Sequence, residues 1–233
     1  MKAVLLAAGI GSRLRPLTET IPKCLVPIHD KPLLDYWLEL TLNSKHISDV
    51  YINLHYLKNR VTEHIAANWQ HEKRIILHIE EQLKGTAGTL NGLHKELLGS
   101  CLLVVHADNL SQFNLDDFIH AHDIRPDDCV MTMMLFKTDA PSTCGIVELD
   151  EMGRVITMHE KVSTPQGNLA NGAVYIFEPD ILHYIVANNL TDISAQVIPA
   201  FTGKINSWLN TQYHRDIGNP QSYELAQREY PKG

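Results

Sequence analysis

The sequence is poor in cysteine and has no cluster of like charges. Only four cysteines occur among its 233 residues, at positions 24, 101, 129 and 144, and no two of them form a Cys-x-x-Cys pair. This irregular spacing is typical of reduced thiols in a cytosolic protein rather than of a disulfide framework. There is no run of Lys or Arg, and the formal net charge is −7. We therefore expect neither nucleic acid nor an anionic membrane among its partners.

Long apolar runs are also missing. No stretch approaches the ~18 apolar residues of a membrane span. The short apolar run after Met1 leads into Gly9 and Gly11 rather than into the small-residue site at which a secretory signal is cleaved. We therefore expect a cytoplasmic protein. The thirteen histidines show no His-Glu-x-x-His or mixed Cys/His ligand spacing, so a histidine-based metal site is not expected.

Apolar runs alternate with amphipathic segments through the first half of the chain. The predicted strands are Lys2–Ala7, Asp49–Leu54, Arg74–Ile79 and Cys101–Val105, and the predicted helices are Pro32–Leu42, Leu57–Trp69 and a segment around Thr86–Leu98. Strands and helices that alternate at such short spacings indicate parallel β-α-β units.

The second half contains more short strands separated by turns. The predicted strands are Cys129–Phe136, Gly145–Leu149, Arg154–Glu160, Ala173–Phe177 and Ile205–Leu209, with a hairpin turn at Glu151-Met152-Gly153 and helices at Pro179–Ala187 and Pro220–Arg228. Hydrophobic residues make up 44% of the chain and charged residues 20%, which is close to the globular average. The sequence therefore predicts one composite α/β domain.

The loop after the first predicted strand is rich in glycine. Gly9 and Gly11 let backbone N–H groups approach phosphate oxygens closely, and Arg13 adds a forked cation. The loop is not a Walker P-loop, and Leu14 replaces the third glycine of a dinucleotide fingerprint, which disfavours an oxidoreductase. An ordinary glycine-rich turn with a solvated arginine fits the same residues.

Three short motifs between Leu6 and Tyr36 together resemble the sugar-phosphate nucleotidyltransferases. They are Gly-x-Gly-Ser-Arg-Leu-x-Pro-Leu-Thr, Pro-Lys-x-Leu-Val-Pro-Ile and Lys-Pro-Leu-Leu-x-Tyr. This family forms nucleoside-diphosphate sugars from an NTP and a sugar 1-phosphate. The resemblance implies a Rossmann-like three-layer sandwich with a mixed, mainly parallel central sheet, and dependence on Mg²⁺. It assigns nucleotide contacts to Leu6, Ala8, Gly9, Gly11, Ser12, Arg13 and Lys23.

A second glycine-containing segment, Glu81–Leu90, opens the third predicted helix. Gly85 and Gly88 let backbone approach a flat base, although an ordinary capped helix start has the same composition. In the family this segment lines the nucleobase pocket, which implies nucleotide contacts for Glu81, Gly85, Thr86 and Gly88. The Gly-Thr-Ala-Gly form is similar to guanylyltransferases that act on mannose 1-phosphate or manno-heptose 1-phosphate.

Two aspartates follow predicted strands or precede a helix. Asp108 lies just beyond a buried strand, where a carboxylate can hold a hard cation, cap a helix or form an Asx turn. Asp216 lies in an Asp-Ile-Gly string before the last helix, which also suits a helix-entry turn. The resemblance implies that both aspartates ligate magnesium.

Residues of the second half resemble the acceptor side of the family's site. Gly145 corresponds to the glycine that leads the family's strand past the sugar ring, Glu160 corresponds to a ligand of sugar hydroxyls, and Lys161 corresponds to a ligand of the sugar phosphate. Asn171 corresponds to a further sugar ligand, although Asn171-Gly172 alone is also typical of a type I′ hairpin turn. With Asp108, these residues form the predicted sugar-phosphate site.

The resemblance implies a nucleotidyltransferase that joins GTP to mannose or manno-heptose 1-phosphate. The alternatives are the same reaction with UTP or dTTP and another sugar 1-phosphate, or a non-catalytic regulatory subunit that binds nucleotide sugar. The predicted catalytic residues are Arg13, Lys23, Asp108, Lys161 and Asp216. We expect one domain over residues 1–233, with an NTP-binding half to about residue 125, a sugar-phosphate-binding half after it, no C-terminal β-helix, and a monomer or small homo-oligomer.

Overall fold

The computed structural model describes residues 1–231. Its strands are β1 (Lys2–Leu6), β2 (Pro27–Ile28), β3 (Lys31–Pro32), β4 (Val50–Leu54), β5 (Ile75–Ile79), β6 (Leu102–His106), β7 (Asn109–Gln112), β8 (Met131–Lys137), β9 (Gly145–Leu149), β10 (Val155–Glu160), β11 (Leu169–Phe177), β12 (Ile205–Leu209) and β13 (Tyr213–Asp216). Its helices are α1 (Leu33–Leu42), α2 (Lys58–Asn68), α3 (Thr86–Gly92), α4 (His94–Leu97), α5 (Leu115–Asp123), α6 (Pro179–Ala187), α7 (Ile198–Ala200) and α8 (Pro220–Glu229). No helix in this range is long and apolar enough to cross a bilayer.

The chain forms two compact units. The first contains Met1–Leu83, Val105–Gln112 and the chain from Tyr213 onward, and the second contains Lys84–Val104 and Phe113–Gln212. Neither unit is continuous in sequence, so each unit is built from segments that are distant along the chain.

The first unit contains three parallel strands. β4 pairs with β1 on one side and with β5 on the other, which confirms the predicted β-α-β pattern. Every residue of β4 is buried, as expected for a parallel strand covered on both faces. The helix predicted from Pro32 begins at Leu33, because Pro32 is the extended N-cap residue.

A short antiparallel ladder in the first unit was not predicted. β7 and β13 pair so that Asp216 lies opposite Asn109. Trp37 of α1 fixes this ladder, because its indole N–H donates to the Asn109 carbonyl at 2.8 Å. α8 then begins at Pro220, and Asn219 caps it in a reciprocal capping box with Ser222.

The second unit contains mixed strands. β11 pairs antiparallel with β8 and β9, β9 forms a hairpin with β10, and β12 pairs parallel with β8. The hairpin turn predicted at Glu151-Met152-Gly153 is confirmed, and Gly153 has a φ of +78°. A hairpin turn at Asn171-Gly172 is wrong, because both residues lie within β11, beside an irregularity at which Ala173 has a φ of +52°.

Two helical segments of the second unit differ from expectation. The helix predicted around Thr86–Leu98 divides into α3 and α4 at Leu93. α5 was not predicted, although Asn114 caps its first turn and Leu115, Phe118, Ile119 and His122 form a buried face at helical spacing.

Candidate active site

Lys23 lies at the centre of a cluster of charged side chains in the first unit. Its side chain is only 7% exposed, and its Nζ lies 2.6 Å from Asp108 Oδ2 and 3.6 Å from Asp216 Oδ1. Arg13 provides a second cation, 3.9 Å from Asp216 Oδ2. The structure thus brings together four of the five predicted catalytic residues within one unit.

Local backbone geometry places these side chains. Lys23 begins a buried 3₁₀ turn directly after Pro22, whose ring fixes the backbone φ of the residue at which the turn is entered. Asp216 ends β13, and the next residue, Ile217, donates its N–H to the Asp108 carbonyl at 3.2 Å. A Cβ at Gly218 would lie 2.6 Å from Asp216 Oδ2, so glycine is needed there to leave room for the carboxylate.

The clustered charges shift one another's protonation. Burial acts to raise the pKa of Asp108, but the charge and hydrogen bond of Lys23 together with the charge of His106 hold that pKa below its usual value. Burial raises the pKa of Asp216, and the charge of Asp108 adds to the rise in spite of the Lys23 ammonium. Two carboxylates therefore share one close ammonium. Carboxylate oxygens of this kind are the hard ligands that Mg²⁺ takes in proteins.

The glycine-rich loop after β1 packs against this cluster. Leu6 and Ala8 are buried, whereas Gly9 and Ser12 reach the surface. Gly11 has a φ of +69°, and a Cβ there would lie 3.0 Å from the Lys23 Cβ. Gly11 thus allows the close approach of the loop to Lys23.

Of two adjacent glutamates after β5, the one that was not predicted is buried. Glu80 is 2% exposed, and its Oε1 accepts a hydrogen bond from Asn53 Nδ2 at 3.2 Å. Asn53 Oδ1 in turn accepts the Ala7 N–H at 2.7 Å, which links Glu80 to the glycine-rich loop. The predicted residue, Glu81, has an 83% exposed side chain paired with Lys58. The alternation of side chains along a strand does not show which of the two glutamates is buried unless the register of the strand is known.

In the second unit, the Gly85–Gly88 segment contacts protein backbone. Gly85 has a φ of +77°, and a Cβ there would lie 2.4 Å from the Thr191 carbonyl oxygen. That oxygen accepts the N–H groups of Ala87 and Gly88 at 3.0 and 3.3 Å. The sequence interpretation gave these glycines the role of approaching a base. The observed approach is to Thr191, and the nucleotide contacts of Gly85, Thr86 and Gly88 stay a prediction.

Three of the predicted sugar-site residues come together across β9, β10 and the residue that follows. Gly145 pairs with Glu160 across the hairpin, and a Cβ at Gly145 would lie 2.7 Å from Glu160 Oε2. Lys161 Nζ lies 3.3 Å from Glu160 Oε1, and its side chain is 63% exposed. Glycine therefore makes room for a carboxylate that has an exposed ammonium beside it.

Asn171, the fourth of these residues within the second unit, is held by β11 itself. Its Nδ2 donates to the Tyr175 hydroxyl at 2.8 Å, and its Oδ1 accepts the Ala173 N–H at 2.9 Å. This second bond lies at the irregularity of β11, where Ala173 has a positive φ.

One group of soft and hard donors was not predicted. Within residues 1–231, atoms of Cys101, His122 and Glu178 lie within 4.8 Å of one another. Glu178 already accepts hydrogen bonds from the Arg125 guanidinium and from His122, and His122 Nδ1 lies 2.8 Å from Thr132 Oγ1. The group is therefore a satisfied polar network with its own cation.

Known proteins that are similar to this chain include nucleotidyltransferases. Residues 2–233 match the family described as Nucleotidyl transferase. The "Putative mannose-1-phosphate guanyltransferase" of Sulfolobus acidocaldarius is 30% identical over 240 residues, covering 100% of this chain and 65% of the relative. The "UTP--glucose-1-phosphate uridylyltransferase" of Synechocystis is 26% identical over 212 residues, covering 85% and 54%. The chain spans 64–65% of the length of the first three curated relatives that it matches.

A solved structure confirms the fold. HddC from Yersinia pseudotuberculosis, crystallised with GMP-PN, superposes with a TM-score of 0.81 at 23% identity and covers 99% of both chains. The predicted α/β class, with a mixed, mainly parallel central sheet and flanking helices, is therefore confirmed.

Proposed function

Because this chain belongs to the nucleotidyl transferase family, we propose that it joins an NTP to a sugar 1-phosphate and releases pyrophosphate. The observation that carries the proposal is the cluster of Arg13, Lys23, Asp108 and Asp216, in which a buried ammonium and an exposed guanidinium lie beside two carboxylates. Such a cluster suits a polyphosphate and its counter-cation.

The reaction balances without an added acid or base. A phosphate oxygen of the sugar 1-phosphate attacks the α-phosphorus of the NTP, the new P–O bond forms, and the bond to the β-phosphate oxygen breaks. The attacking oxygen is already an anion, so no proton has to be removed. Catalysis then depends on positioning and on charge stabilisation. Arg13 and Lys23 are assigned to the triphosphate, and Lys161 to the sugar phosphate.

Asp108 and Asp216 are the residues that would hold Mg²⁺. They fit such an ion, because the pKa of Asp216 is raised by burial and by the charge of Asp108, and a cation relieves that repulsion. When bound, Mg²⁺ neutralises charge on the triphosphate and the departing pyrophosphate.

We assign GTP and a manno-configured sugar 1-phosphate as substrates. The guanyltransferase name of the Sulfolobus relative and the GMP-PN in the HddC structure support this choice. We also assign Glu80 to the base, since carboxylate oxygens accept hydrogen bonds and guanine presents adjacent donors at N1 and N2. The uridylyltransferase name of the Synechocystis relative favours a second candidate, the same reaction with UTP and another sugar 1-phosphate.

Pyrophosphate release tests the proposal. The chain is assayed with GTP, ATP, UTP and dTTP against a panel of sugar 1-phosphates, and we expect GTP with mannose or manno-heptose 1-phosphate to be fastest. Asp108→Asn should lose most of the turnover, whereas Asp127→Asn, at an exposed aspartate, should not. Preference for UTP or dTTP contradicts the guanine assignment. Nucleotide-sugar binding without release in any pair indicates a regulatory subunit instead.

A further inference from the structure

One turn of π-helix, Ile193–Val197, lies in the second unit between α6 and α7. Asp192 begins it, since its carboxylate accepts the Ala195 N–H at 2.7 Å and its carbonyl accepts the Val197 N–H at 3.3 Å. π-helical turns are rare and occur frequently at functional sites. We call residues 191–197 the Thr191 turn.

The start of the Thr191 turn is bonded to the predicted nucleobase segment. The Thr191 carbonyl accepts the N–H groups of Ala87 and Gly88, which are orphan donors in the first turn of α3. In the opposite direction, Thr86 Oγ1 accepts the Ile193 N–H at 2.8 Å. These reciprocal bonds fix the position of Thr86 and of the backbone beside it.

Gln196 holds this start in place with one oxygen. Its Oε1 accepts the N–H of Thr191 at 2.8 Å, the N–H of Asp192 at 2.9 Å and the Thr191 hydroxyl at 3.2 Å. Because all three bonds use the side chain as an acceptor, a carboxylate of the same length can replace the amide.

The same turn also contacts the predicted sugar segment. The Ser194 side chain is hydrogen-bonded to the Tyr175 hydroxyl, which is fully buried. That hydroxyl oxygen also accepts from Asn171 Nδ2 at 2.8 Å. Ser194 is therefore linked to Asn171 through the Tyr175 hydroxyl.

We propose that the Thr191 turn positions the nucleobase segment Gly85–Gly88 and the sugar ligand Asn171 together, with Gln196 and Ser194 as its positioning residues. The proposal rests on the proposed function, which assigns the two segments to the two substrates. Since both sets of bonds belong to one short turn, loosening one end of it changes the binding of both substrates.

Gln196→Ala removes three hydrogen bonds and tests the nucleotide side. We expect the Michaelis constant for GTP to rise about tenfold and the constant for mannose 1-phosphate to rise by a smaller factor, with turnover within about twofold of the unmodified chain. Gln196→Glu keeps the acceptor oxygen and should restore both constants. Asn188→Ala is the matched control, because it removes an exposed amide that donates to the Tyr184 carbonyl outside the turn.

Ser194→Ala tests the sugar side, and here we expect the larger rise in the constant for mannose 1-phosphate. A residue with a purely structural role would lower the melting temperature and leave both Michaelis constants unchanged. Unchanged constants in active Gln196→Ala and Ser194→Ala chains overturn the positioning role and leave the proposed function standing. If the unmodified chain releases no pyrophosphate with any substrate pair, the proposed function fails and this proposal fails with it.

Discussion

Replacing Gly85 with alanine tests how firmly Thr191 holds the start of α3. Gly85 has φ and ψ of 77° and 173°, a region that is essentially confined to glycine. The added Cβ would lie 2.4 Å from the Thr191 carbonyl oxygen, whereas ordinary contact begins at 3.4 Å. The oxygen must therefore move by about 1 Å, which weakens its bonds with the N–H groups of Ala87 and Gly88.

The expected loss of stability is the sum of two terms. The backbone strain costs ~1–3 kcal/mol. Each lost hydrogen bond costs ~1 kcal/mol, and two are affected. The free energy of unfolding should thus fall by about 3–5 kcal/mol. In a chain of this size 1 kcal/mol corresponds to ~2–4 °C, so we expect the melting temperature to fall by roughly 10 °C.

Gly99→Ala is the matched control. Gly99 belongs to the same unit and has a φ of +71°, but a Cβ there would meet no atom within 4 Å. The Gly99→Ala variant therefore has only the cost of backbone strain, ~1–2 kcal/mol, and its melting temperature should fall by roughly 4 °C. Both variants are compared by thermal unfolding followed by circular dichroism. Equal losses for the two variants would refute the idea that contact with Thr191, rather than backbone conformation, requires glycine at position 85.

Three further predictions concern the charged groups. Lys23→Ala should raise the Michaelis constant for the NTP about tenfold or more, and Lys161→Ala should raise the Michaelis constant for the sugar 1-phosphate. If Lys161→Ala raises only the constant for the NTP, the assignment of Lys161 to the sugar phosphate is wrong. EDTA should abolish turnover and excess Mg²⁺ should restore it, whereas full activity in EDTA rules out the two-carboxylate metal site. Burial, aided by the Arg125 charge, lowers the pKa of His122, so the unfolded chain binds that proton more readily. The free energy of unfolding should therefore fall as the pH decreases from ~6.5 toward 5. This fall should be shallower in His122→Gln than in His120→Gln, the control at an exposed site. Parallel pH profiles for the two variants would contradict the role of His122.

The order of the regular elements was predictable because strong hydrophobic patterns mark it. β9, α6 and β12 have the predicted bounds, and most other strands differ by one or two residues. β7 and β13 were missed because both are short and carry polar side chains, as in Ser111 and His214, so they have no apolar alternation. Their pairing depends on residues that are distant in sequence.

The candidate site was predictable where side chains carry the chemistry. Lys23, Asp108 and Asp216 were found by their motifs, and the structure places them together. Thr191 was missed because its contribution is a backbone carbonyl, and any residue type has one. Glu80, which we assign to the base, was not singled out because its neighbour Glu81 has the same chemistry, and only burial after β5 distinguishes the two.

The pairing of Lys23 with two aspartates has a consequence for how ligand affinity responds to salt. Arg13 and Lys23 balance the charges of Asp108 and Asp216, so this group of four side chains has no net charge before a ligand binds. A phosphate oxygen that approaches the buried Lys23 ammonium meets a cation that is already paired with the Asp108 carboxylate at 2.6 Å. Binding at Lys23 therefore competes with an existing ion pair. The affinity for the triphosphate should accordingly depend less steeply on ionic strength than it would at a site whose charged side chains were all cations.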